Sequence, residues 1–359
     1  MVIQIEKVTD EGCRDEWNSF VNRHPYSTPY HLWEFGEALT LTYGYERHYF
    51  IAKSNSGVLG VFPLILIKSR IFGNKLLSLP FCEYGGPLVN LSFSNPEAIV
   101  SCLFNEVLTF NLKDLDYVEV RNPQLSNKLL ETVAEFGLRI INRYITFRVD
   151  LTKDKEILWR SLNKKTRNST RKAIKNNLNV YEASTDDELE KYFWLYLKTQ
   201  KKHGSPPHNF KLFKNLVKLM RKNIKILMAE HHTKPISGII IFYDKRGIFW
   251  WSGVSDPKFR NLNGTNLLLW EVIQWGHENG YAYMDLGRTR HGSGVYHFKK
   301  GWGGVEVPLK DYVYSIKGDD KGTPDPSEGK YRLLTKVWSR LPISVSKLIG
   351  PRIIKQIGL

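Results

Sequence analysis

One local pattern occurs twice in this chain, and it constrains the fold more than any other feature of the sequence. Residues 106–110 (EVLTF) precede a short apolar run that begins at Tyr117, and residues 271–275 (EVIQW) precede a similar run that begins at Tyr283. The glutamate and the tyrosine are 11 residues apart in the first copy and 12 in the second. Each copy predicts a helix that leads into a strand with a carboxylate at its third residue. The chain is therefore predicted to fold as two similar halves.

The length and the apolar periodicity agree with two halves. A chain of 359 residues is long for a single hydrophobic core. Alternating apolar runs predict mostly antiparallel strands, and amphipathic stretches predict helices that flank them, which together define an α/β (α+β) fold. We expect an N-terminal domain over residues 1–151, a C-terminal domain over residues 152–315, and a linker with a basic tail over residues 316–359.

The net charge limits the classes of binding partner, and the cysteine content indicates the cellular compartment. The formal net charge of +16 favours an anionic partner, which is nucleic acid, a phosphorylated substrate or a membrane surface. Cys13, Cys82 and Cys102 lie far apart without a CxxC motif, so they are interpreted as reduced thiols of a cytoplasmic protein. The N-terminus lacks a signal-peptide pattern, and the apolar run at residues 58–67 is about half of a membrane span.

The stretch 283–304 (YMDLGRTRHGSGVYHFKKGWGG) contains the strongest candidate site. It begins as a strand, continues as a glycine-rich loop at residues 288–294, and ends with aromatic and basic residues interleaved. This order places polar side chains at a cleft, although a hairpin with a basic rim is the alternative interpretation. Asp285 is a candidate catalytic residue, and Tyr296 would form a wall of the cleft. Positively charged candidates that would hold a phosphate or an oxyanion are Arg288, Lys299 and Lys300.

The motifs that are absent point to a reaction without an enzyme nucleophile. The sequence has no GxSxG, HExxH, Walker or zinc-binding pattern, and no metal site is predicted. Acyl transfer to an amine needs a deprotonated amine, two substrates held close together, and stabilisation of the charge on the tetrahedral intermediate. Asp285 or Glu83 would accept the proton or hold the amine, unless Asp285 only pairs with a structural arginine. Further candidates for the cleft are Tyr84, Trp251 and His203, although His203 would equally cap a helix C-terminus.

A basic helix is predicted over residues 158–176. Five cations follow one another at spacings of four, three, four and four residues, which places them in a stripe about 80° wide. With no acidic residue in the stripe, it is either a phosphate-binding surface or a solvated helix face. The predicted anion-binding residues are Arg160, Lys164, Arg167 and Arg171, and the fifth cation is Lys175.

Two other segments give information about the acyl donor and about binding to a membrane. Residues 260–265 (RNLNGT) stand where an acyl-CoA transferase of the GNAT fold would hold a pyrophosphate on backbone amides. The spacing of Arg260 and Gly264 departs from that motif, which argues against ordinary acetyl-CoA binding. Residues 330–359 contain seven Lys or Arg and no acidic residue, with Tyr331, Leu334, Trp338 and Leu341 at helical spacing. Such a tail is typical of binding to an anionic membrane surface, or it is a final helix packed on the body.

Several separated segments resemble the Fem family of peptidoglycan-bridge aminoacyltransferases, and most of all its shorter members associated with exopolysaccharide and surface-sorting systems. They are LPFCEYGGP at 79–87, SLNKKTRNSTRKAIKN at 161–176, YLKTQKKHGSPP at 196–207, MDLGRTRHGSGVYHFKKGWGG at 284–304 and WSRLPISVSKLIGP at 338–351. The resemblance implies two tandem GNAT-like domains and transfer of an aminoacyl or acyl group to an amine. It also implies that Phe298 and Lys299 match a Phe-Lys pair that contacts the reaction centre, which makes Lys299 a candidate catalytic residue and Phe298 a candidate substrate-binding residue. The helical arm of one Fem branch is missing here, which weakens the case for tRNA.

We therefore expect an N-acyltransferase or aminoacyltransferase that modifies an amino group of a cell-envelope glycan or lipid-linked precursor at the inner face of the membrane. Its donor would be aminoacyl-tRNA or acyl-CoA, with no tightly bound cofactor. The first alternative is an acyl-CoA-dependent N-acetyltransferase of the GNAT superfamily. The second is a noncatalytic module that binds nucleic acid or a membrane.

Overall fold

The computed structural model describes residues 2–8, 11–109, 113–317 and 329–358, with the side chains of residues 329–334 left out. The chain forms two compact units. The first unit comprises the described residues within Met1–Asn142, Leu309–Asp325 and Arg352–Leu359. The second unit comprises those within Arg143–Pro308 and Pro326–Pro351.

The first unit surrounds one apolar core. Its elements in chain order are β1 (Gln4–Val8), α1 (Arg14–Arg23), α2 (Trp33–Tyr43), β2 (Glu46–Ser54), β3 (Gly57–Ile67), β4 (Lys75–Leu77), β5 (Leu88–Val89), α3 (Pro96–Thr109), β6 (Tyr117–Val120), α4 (Asn127–Glu135) and the beginning of β7 (Arg139–Asp150). Strands β1, β2, β3 and β4 are antiparallel neighbours, whereas β4 and β6 are parallel. Alternate apolar residues of β2, β3, β4 and β6 pack against α3 and α4, which explains the period of two in these strands.

The second unit repeats this plan with a longer set of helices. After the rest of β7 its elements are α5 (Lys155–Ser161), α6 (Lys164–Lys175), β8 (Asn179–Glu182), α7 (Asp186–His203), α8 (Phe210–Leu219), β9 (Ile224–His231), β10 (Lys234–Tyr243), β11 (Gly247–Ser255), α9 (Gly264–Glu278), β12 (Tyr283–Asp285), α10 (Gly294–Lys300) and the first residues of β13 (Val305–Ser315). The strand order is β7-β12-β11-β10-β9-β8, and only β11 and β12 are parallel. The helix α9 is apolar around most of its circumference and packs on β9, β10 and β11.

Two further helices end the described chain, α11 (Gly329–Arg340) and α12 (Ile343–Ile357). The helix α11 packs against α7, and Trp338 is buried and donates from Nε1 to the Ser346 hydroxyl at 2.9 Å. The tail therefore uses part of its apolar face for packing, and its predicted binding to a membrane surface stays a prediction. The side chains of Tyr331 and Leu334 and most of the predicted linker lie outside the described residues.

The predicted α/β (α+β) class with mostly antiparallel sheets is confirmed, but the single basic helix at residues 158–176 is wrong. Leu162 has an extended backbone (ψ 140°), and Asn163 starts a new helix by accepting a hydrogen bond on its side chain from the Thr166 amide at 2.7 Å. Arg160 therefore lies on α5 and the other four cations lie on α6. Arg160 also pairs with Glu156 at 3.2 Å, so the predicted stripe is neither continuous nor free of acidic partners.

Candidate active site

The most distinctive feature of the second unit is a parting of two parallel strands. Strands β11 and β12 pair over three residues only, and the last pair is Phe249 with Asp285. Beyond it, β11 continues beside β10 to Ser255. The chain after Asp285 stays instead with β7, through the Leu286 amide on Phe147 O at 2.9 Å and a bridge between Thr289 and Ile145. A strand edge and a loop thus diverge at this point, which opens the sheet for a ligand.

Lys299 lies where the strands part. Its side chain is 7% exposed, and Nζ donates to the carbonyls of Gly287 at 2.8 Å and Arg288 at 2.9 Å. The same ammonium lies 5.3 Å from the ring centre of Trp250 on β11. Lys299 therefore connects the loop after β12 to the diverging strand β11, and a cation is held at the opening of the cleft.

Asp285 is 1% exposed and accepts hydrogen bonds from the Thr146 hydroxyl at 2.5 Å, from Arg148 Nε at 3.2 Å and from the Gly287 amide at 2.8 Å. A carboxylate with this surrounding fixes β7, β12 and the following loop to one another. The arrangement matches the alternative of a carboxylate paired with a structural arginine, while the predicted proton transfer by Asp285 stays a prediction.

Two arginines of the glycine-rich loop contact the ring of Tyr144 on β7. Arg288 and Arg290 place their guanidinium carbons 5.4 and 5.2 Å from the ring centre of Tyr144, and Arg290 donates to the Tyr144 hydroxyl at 3.2 Å. Both arginines are half-buried, so their charges are held in place beside the cleft. Guanidinium groups arranged in this way suit a phosphate or carboxylate ligand.

The segment that the sequence presents as interleaved aromatic and basic residues is the short helix α10, so the hairpin interpretation is wrong. The Ser293 hydroxyl caps the helix by accepting from the Tyr296 amide at 3.0 Å. Tyr296 packs on Phe147 and donates to Glu306 at 3.0 Å, and Phe298 lies 6.2 Å from Trp250 between ring centres. Lys300 is exposed, with its ammonium 5.7 Å from the Tyr296 ring centre. These predicted residues therefore lie together with Lys299.

Trp251 faces away from that group because side chains alternate along β11 and its neighbour Trp250 faces the group. A bulge begins at this point, since Ile240 pairs with Ser252 and Ile241 pairs with Trp250, so Trp251 is the additional residue. Its ring lies 6.1 Å from His208 and 5.9 Å from Phe213, on the side of α7 and α8. Burial lowers the pKa of His208 well below its ordinary value, which keeps that imidazole neutral. Trp251 and His208 form an aromatic wall, and sequence reasoning missed the histidine.

His203 and the loop at residues 260–265 lie in another part of the second unit. His203 is in the last turn of α7, and burial together with the charges of Lys202 and Arg260 lowers its pKa. The neutral form is therefore favoured, which does not suit a cationic cap. The helix α9 begins at Gly264 after Asn263, whose φ is 55° and whose side chain makes no capping hydrogen bond.

The helix α6 is joined directly to the end of α10. The Asn163 amide donates to Gly301 O at 3.0 Å, and a Cβ on Gly301 would lie 2.4 Å from the Thr166 hydroxyl, so only glycine fits this contact. Lys164 and Arg171 are exposed, and Arg167 donates to Arg160 O at 2.8 Å. Three of the four predicted anion-binding residues thus lie on a helix that is anchored to the Lys299 helix.

Glu83 and Tyr84 belong to the first unit. Tyr84 is fully buried and Glu83 is half-buried, within a loop in which Leu79 and Phe81 have φ values of 65° and 66°. Such left-handed conformations are uncommon for these residue types, so the surrounding packing imposes the shape of this loop. The predicted roles of Glu83 and Tyr84 in substrate binding stay predictions.

Sequence reasoning missed the residues of β7 that support the site. Tyr144, Thr146 and Arg148 alternate with the buried residues Ile145 and Phe147 along the strand. Polar side chains at every second position of a strand, opposite an apolar face, were the available signal. Within the described part of the chain, no group of three or more His, Cys, Asp or Glu side chains is arranged to hold a metal ion.

Comparisons with known proteins agree with this geometry. A family model described as an acetyltransferase (GNAT) domain matches residues 161–300. Residues 161–300 are therefore similar to a GNAT domain. This range contains the parting strands, α9 and Lys299, and it confirms the predicted class of enzyme, an acyltransferase. No curated protein sequence matches the chain.

Solved structures show the same fold along nearly the whole chain. A crystal structure of FemX has a TM-score of 0.70 at 15% identity, over 93% of this chain and 100% of that chain. The C-terminal domain of a putative lysylphosphatidylglycerol synthetase from Agrobacterium fabrum has a TM-score of 0.58 at 13% identity, over 97% and 98%. A tandem GNAT protein from the clavulanic acid biosynthesis pathway has a TM-score of 0.54 at 9% identity, over 89% and 100%. The predicted Fem-like, tandem GNAT architecture is confirmed.

Proposed function

We propose that this acyltransferase moves an aminoacyl or acyl group onto an amino group of a cell-envelope glycan or a lipid-linked precursor. The parting of β11 and β12, with Lys299 at its apex, is the observation that carries the proposal. FemX is one structural neighbour, and the lysylphosphatidylglycerol synthetase domain is another. The name of the second describes a lipid that carries lysine, which supports an acceptor in the cell envelope.

The chemistry needs only positioning and charge. The donor would lie along the edge of β11 beyond Phe249, where its amide groups can pair with the strand backbone. The acceptor amine attacks the acyl carbon, so that a C–N bond forms as the C–O or C–S bond of the donor breaks. Lys299 provides positive charge beside the developing oxyanion, and the amine proton leaves to the departing group or to water.

The acceptor is proposed to carry phosphate. Arg288 and Arg290 beside Tyr144, together with Lys164 and Arg171 on α6, give a cationic approach to the cleft. A lipid-linked or nucleotide-linked diphosphate matches that charge and would orient the glycan amine towards Lys299.

Mass spectrometry of the envelope-precursor pool tests the proposal, with cells that contain the unaltered chain or Lys299→Met. We expect a precursor whose mass is increased by one acyl or aminoacyl group only with the unaltered chain. Lys218→Met, an exposed lysine of α8, is the matched control and should keep the product. Identical precursor pools with and without the protein would contradict the proposal.

A second candidate is N-acetyl transfer from acetyl-CoA, which the description of the matching family model favours. The backbone amides at the N-terminus of α9, which the Asn263 side chain does not cap, would then hold the pyrophosphate. A rise of the melting temperature with acetyl-CoA, and none with aminoacyl-tRNA, would select this candidate.

A further inference from the structure

The helices α11 and α12 are fixed to the second unit by one side. The Thr335 carbonyl of α11 contacts the end of α7, since a Cβ built on Gly204 would lie 2.3 Å from it. Gly350 of α12 packs as closely on Pro207, with 2.4 Å between a Cβ built on Gly350 and Pro207 Cδ. The two helices are joined to each other by the hydrogen bond that Trp338 of α11 donates to α12. This side of the helices is therefore used for packing.

The other side of the same helices exposes aliphatic side chains. Val337 on α11 is 52% exposed, and Val345 and Leu348 on α12 are 38% and 68% exposed. Val345 and Leu348 are three residues apart, so they lie on the same face of α12. Val337 and Val345 each directly precede a residue of the hydrogen-bonded pair that joins the helices, so the exposed side chains belong to one region of the surface. Single exposed apolar side chains need no explanation, whereas a group of them indicates an interaction site.

Exposed cations accompany these aliphatic side chains. Arg340 follows Val337 by three residues on the same face of α11, and Lys336 directly precedes Val337. On α12, Lys347 directly precedes Leu348. All three cations are exposed, and neither helix contains an Asp or Glu. These two helices therefore attract an anionic partner and present no like charge to it.

The composition of this region favours a lipid surface over a protein partner. Protein interfaces are enriched in aromatic residues and depleted in lysine, but the exposed side chains here are aliphatic and lie beside lysines and an arginine. A second copy of the chain would bring like charges together, which opposes association. Peripheral helices bind a bilayer by placing apolar side chains between the head groups and the acyl chains, while their cations attract anionic lipids.

We propose that the side of α11 and α12 opposite their packed side binds the surface of a bilayer that contains anionic lipid. We call it the α11–α12 surface, and it consists of Lys336, Val337, Arg340, Val345, Lys347 and Leu348. The aliphatic side chains enter the boundary between head groups and acyl chains, and the cations bind lipid phosphates. The two interpretations of the basic tail, packing on the body and binding to a membrane, then apply to its two sides. None of these residues belongs to the candidate active site, so this proposal does not depend on the proposed function.

Sedimentation of the full chain with vesicles tests the proposal. The vesicles consist of phosphatidylcholine alone, or of phosphatidylcholine and phosphatidylglycerol in equal parts. Leu348→Asp replaces the most exposed aliphatic side chain of the α11–α12 surface. Its matched control is Ile71→Asp, which changes the net charge equally at a position of the first unit that is 74% exposed. Leu348→Ser serves as a second variant if Leu348→Asp does not fold.

A second pair of variants tests the cations. Lys336→Glu with Lys347→Glu reverses two charges of the α11–α12 surface. The control is Lys222→Glu with Lys245→Glu, two exposed lysines near the end of β10 and the beginning of β11. The end of α7 that contacts α11 lies instead near the other end of β11, because Thr199 is hydrogen-bonded to Ser255. The control therefore changes the net charge equally at a distance from the α11–α12 surface.

We expect the unaltered chain to bind the vesicles that contain phosphatidylglycerol and not those of phosphatidylcholine alone. Leu348→Asp and the double variant of the α11–α12 surface should each lower the partition coefficient at least about 10-fold, because apolar burial or attraction to lipid phosphates is lost. Both controls should lower it less than about 3-fold, since charges beyond a Debye length act weakly.

Three results would overturn the proposal. The unaltered chain would fail to bind phosphatidylglycerol vesicles, or the variants of the α11–α12 surface would bind as well as their controls. The third is a dimer of the unaltered chain, measured by light scattering without vesicles, that Leu348→Asp abolishes. Such a dimer would assign the α11–α12 surface to a second copy of the chain.

Discussion

Lys299 shows how far a single residue can be understood from sequence. Its place after an aromatic residue at the end of a glycine-rich segment marked it as a candidate, but its contacts with Gly287 O, Arg288 O and Trp250 depend on a fold that brings distant segments together. We expect Lys299→Met to lower the transfer rate per folded molecule at least about 10-fold, because charge is lost beside the oxyanion.

The free energy of unfolding should fall by about 1–3 kcal/mol in the same variant, since the buried Gly287 carbonyl and the partly buried Arg288 carbonyl lose their donor. Steady-state kinetics and urea unfolding measure the two effects separately, with Lys218→Met as the reference. An unchanged rate per folded molecule would show that Lys299 only holds the loop in place.

Lys75, the first residue of β4, is fully buried, and this burial lowers the pKa of its amine, which leads to a prediction about pH. Its pKa in the folded protein is about 7, compared with an ordinary value of 10.5, so between these values the unfolded chain binds one proton more than the folded chain. The free energy of unfolding should therefore rise with pH in this window, by up to about 1.4 kcal/mol per pH unit. Urea unfolding between pH 7 and 10 measures the slope, and Lys75→Met should remove this contribution. Equal slopes for both proteins would contradict the assigned pKa.

At the scale of elements, the strands and the long helices were predictable and the short helices were not. Strong apolar periodicity marks β2, β3, β10 and α9 because each buries a face along its length. The boundary between α5 and α6 depends on one extended residue, Leu162, and the seven-residue helix α10 follows a glycine-rich loop. Such short elements are stabilised by caps and tertiary contacts more than by their own periodicity.

The connection between α6 and α10 leads to a prediction with a matched control. Asn163→Ala and Asn209→Ala each remove an N-terminal side-chain cap, of α6 and α8 respectively, and each should cost about 1 kcal/mol of stability. Of these two side chains, that of Asn163 also packs on Gly301 at the end of α10, since its Nδ2 would lie 2.9 Å from a Cβ built on Gly301. Transfer activity per folded molecule should therefore fall in Asn163→Ala and stay unchanged in Asn209→Ala. Equal activities would mean that the position of α6 does not influence the cleft.

At the scale of the molecule, the duplicated pattern of helix and strand predicted the repeated architecture, since each copy is local in sequence. Contacts between segments far apart along the chain carry no such local signal. The first unit includes β13 from Leu309 and the end of α12, and Arg121 bonds to Gly358 across 237 positions. For this reason the burial of Lys75 together with Glu119 and Arg121 could be found only in the structure, although each of these residues is visible in the sequence.

The net charge of +16 leads to a final prediction, which distinguishes an acyltransferase from a noncatalytic binding module. For an acyltransferase, Lys299→Met should lower kcat at every salt concentration, because the lost charge acts at the reacting atoms. The double variant Lys164→Glu with Arg171→Glu on α6 should instead raise KM for a phosphate-bearing acceptor, and it should lose part of the salt dependence while kcat changes little. Lys211→Glu with Lys218→Glu on α8 controls for net charge. A noncatalytic binding module requires the reverse order, in which the α6 variant abolishes function in cells and Lys299→Met retains it.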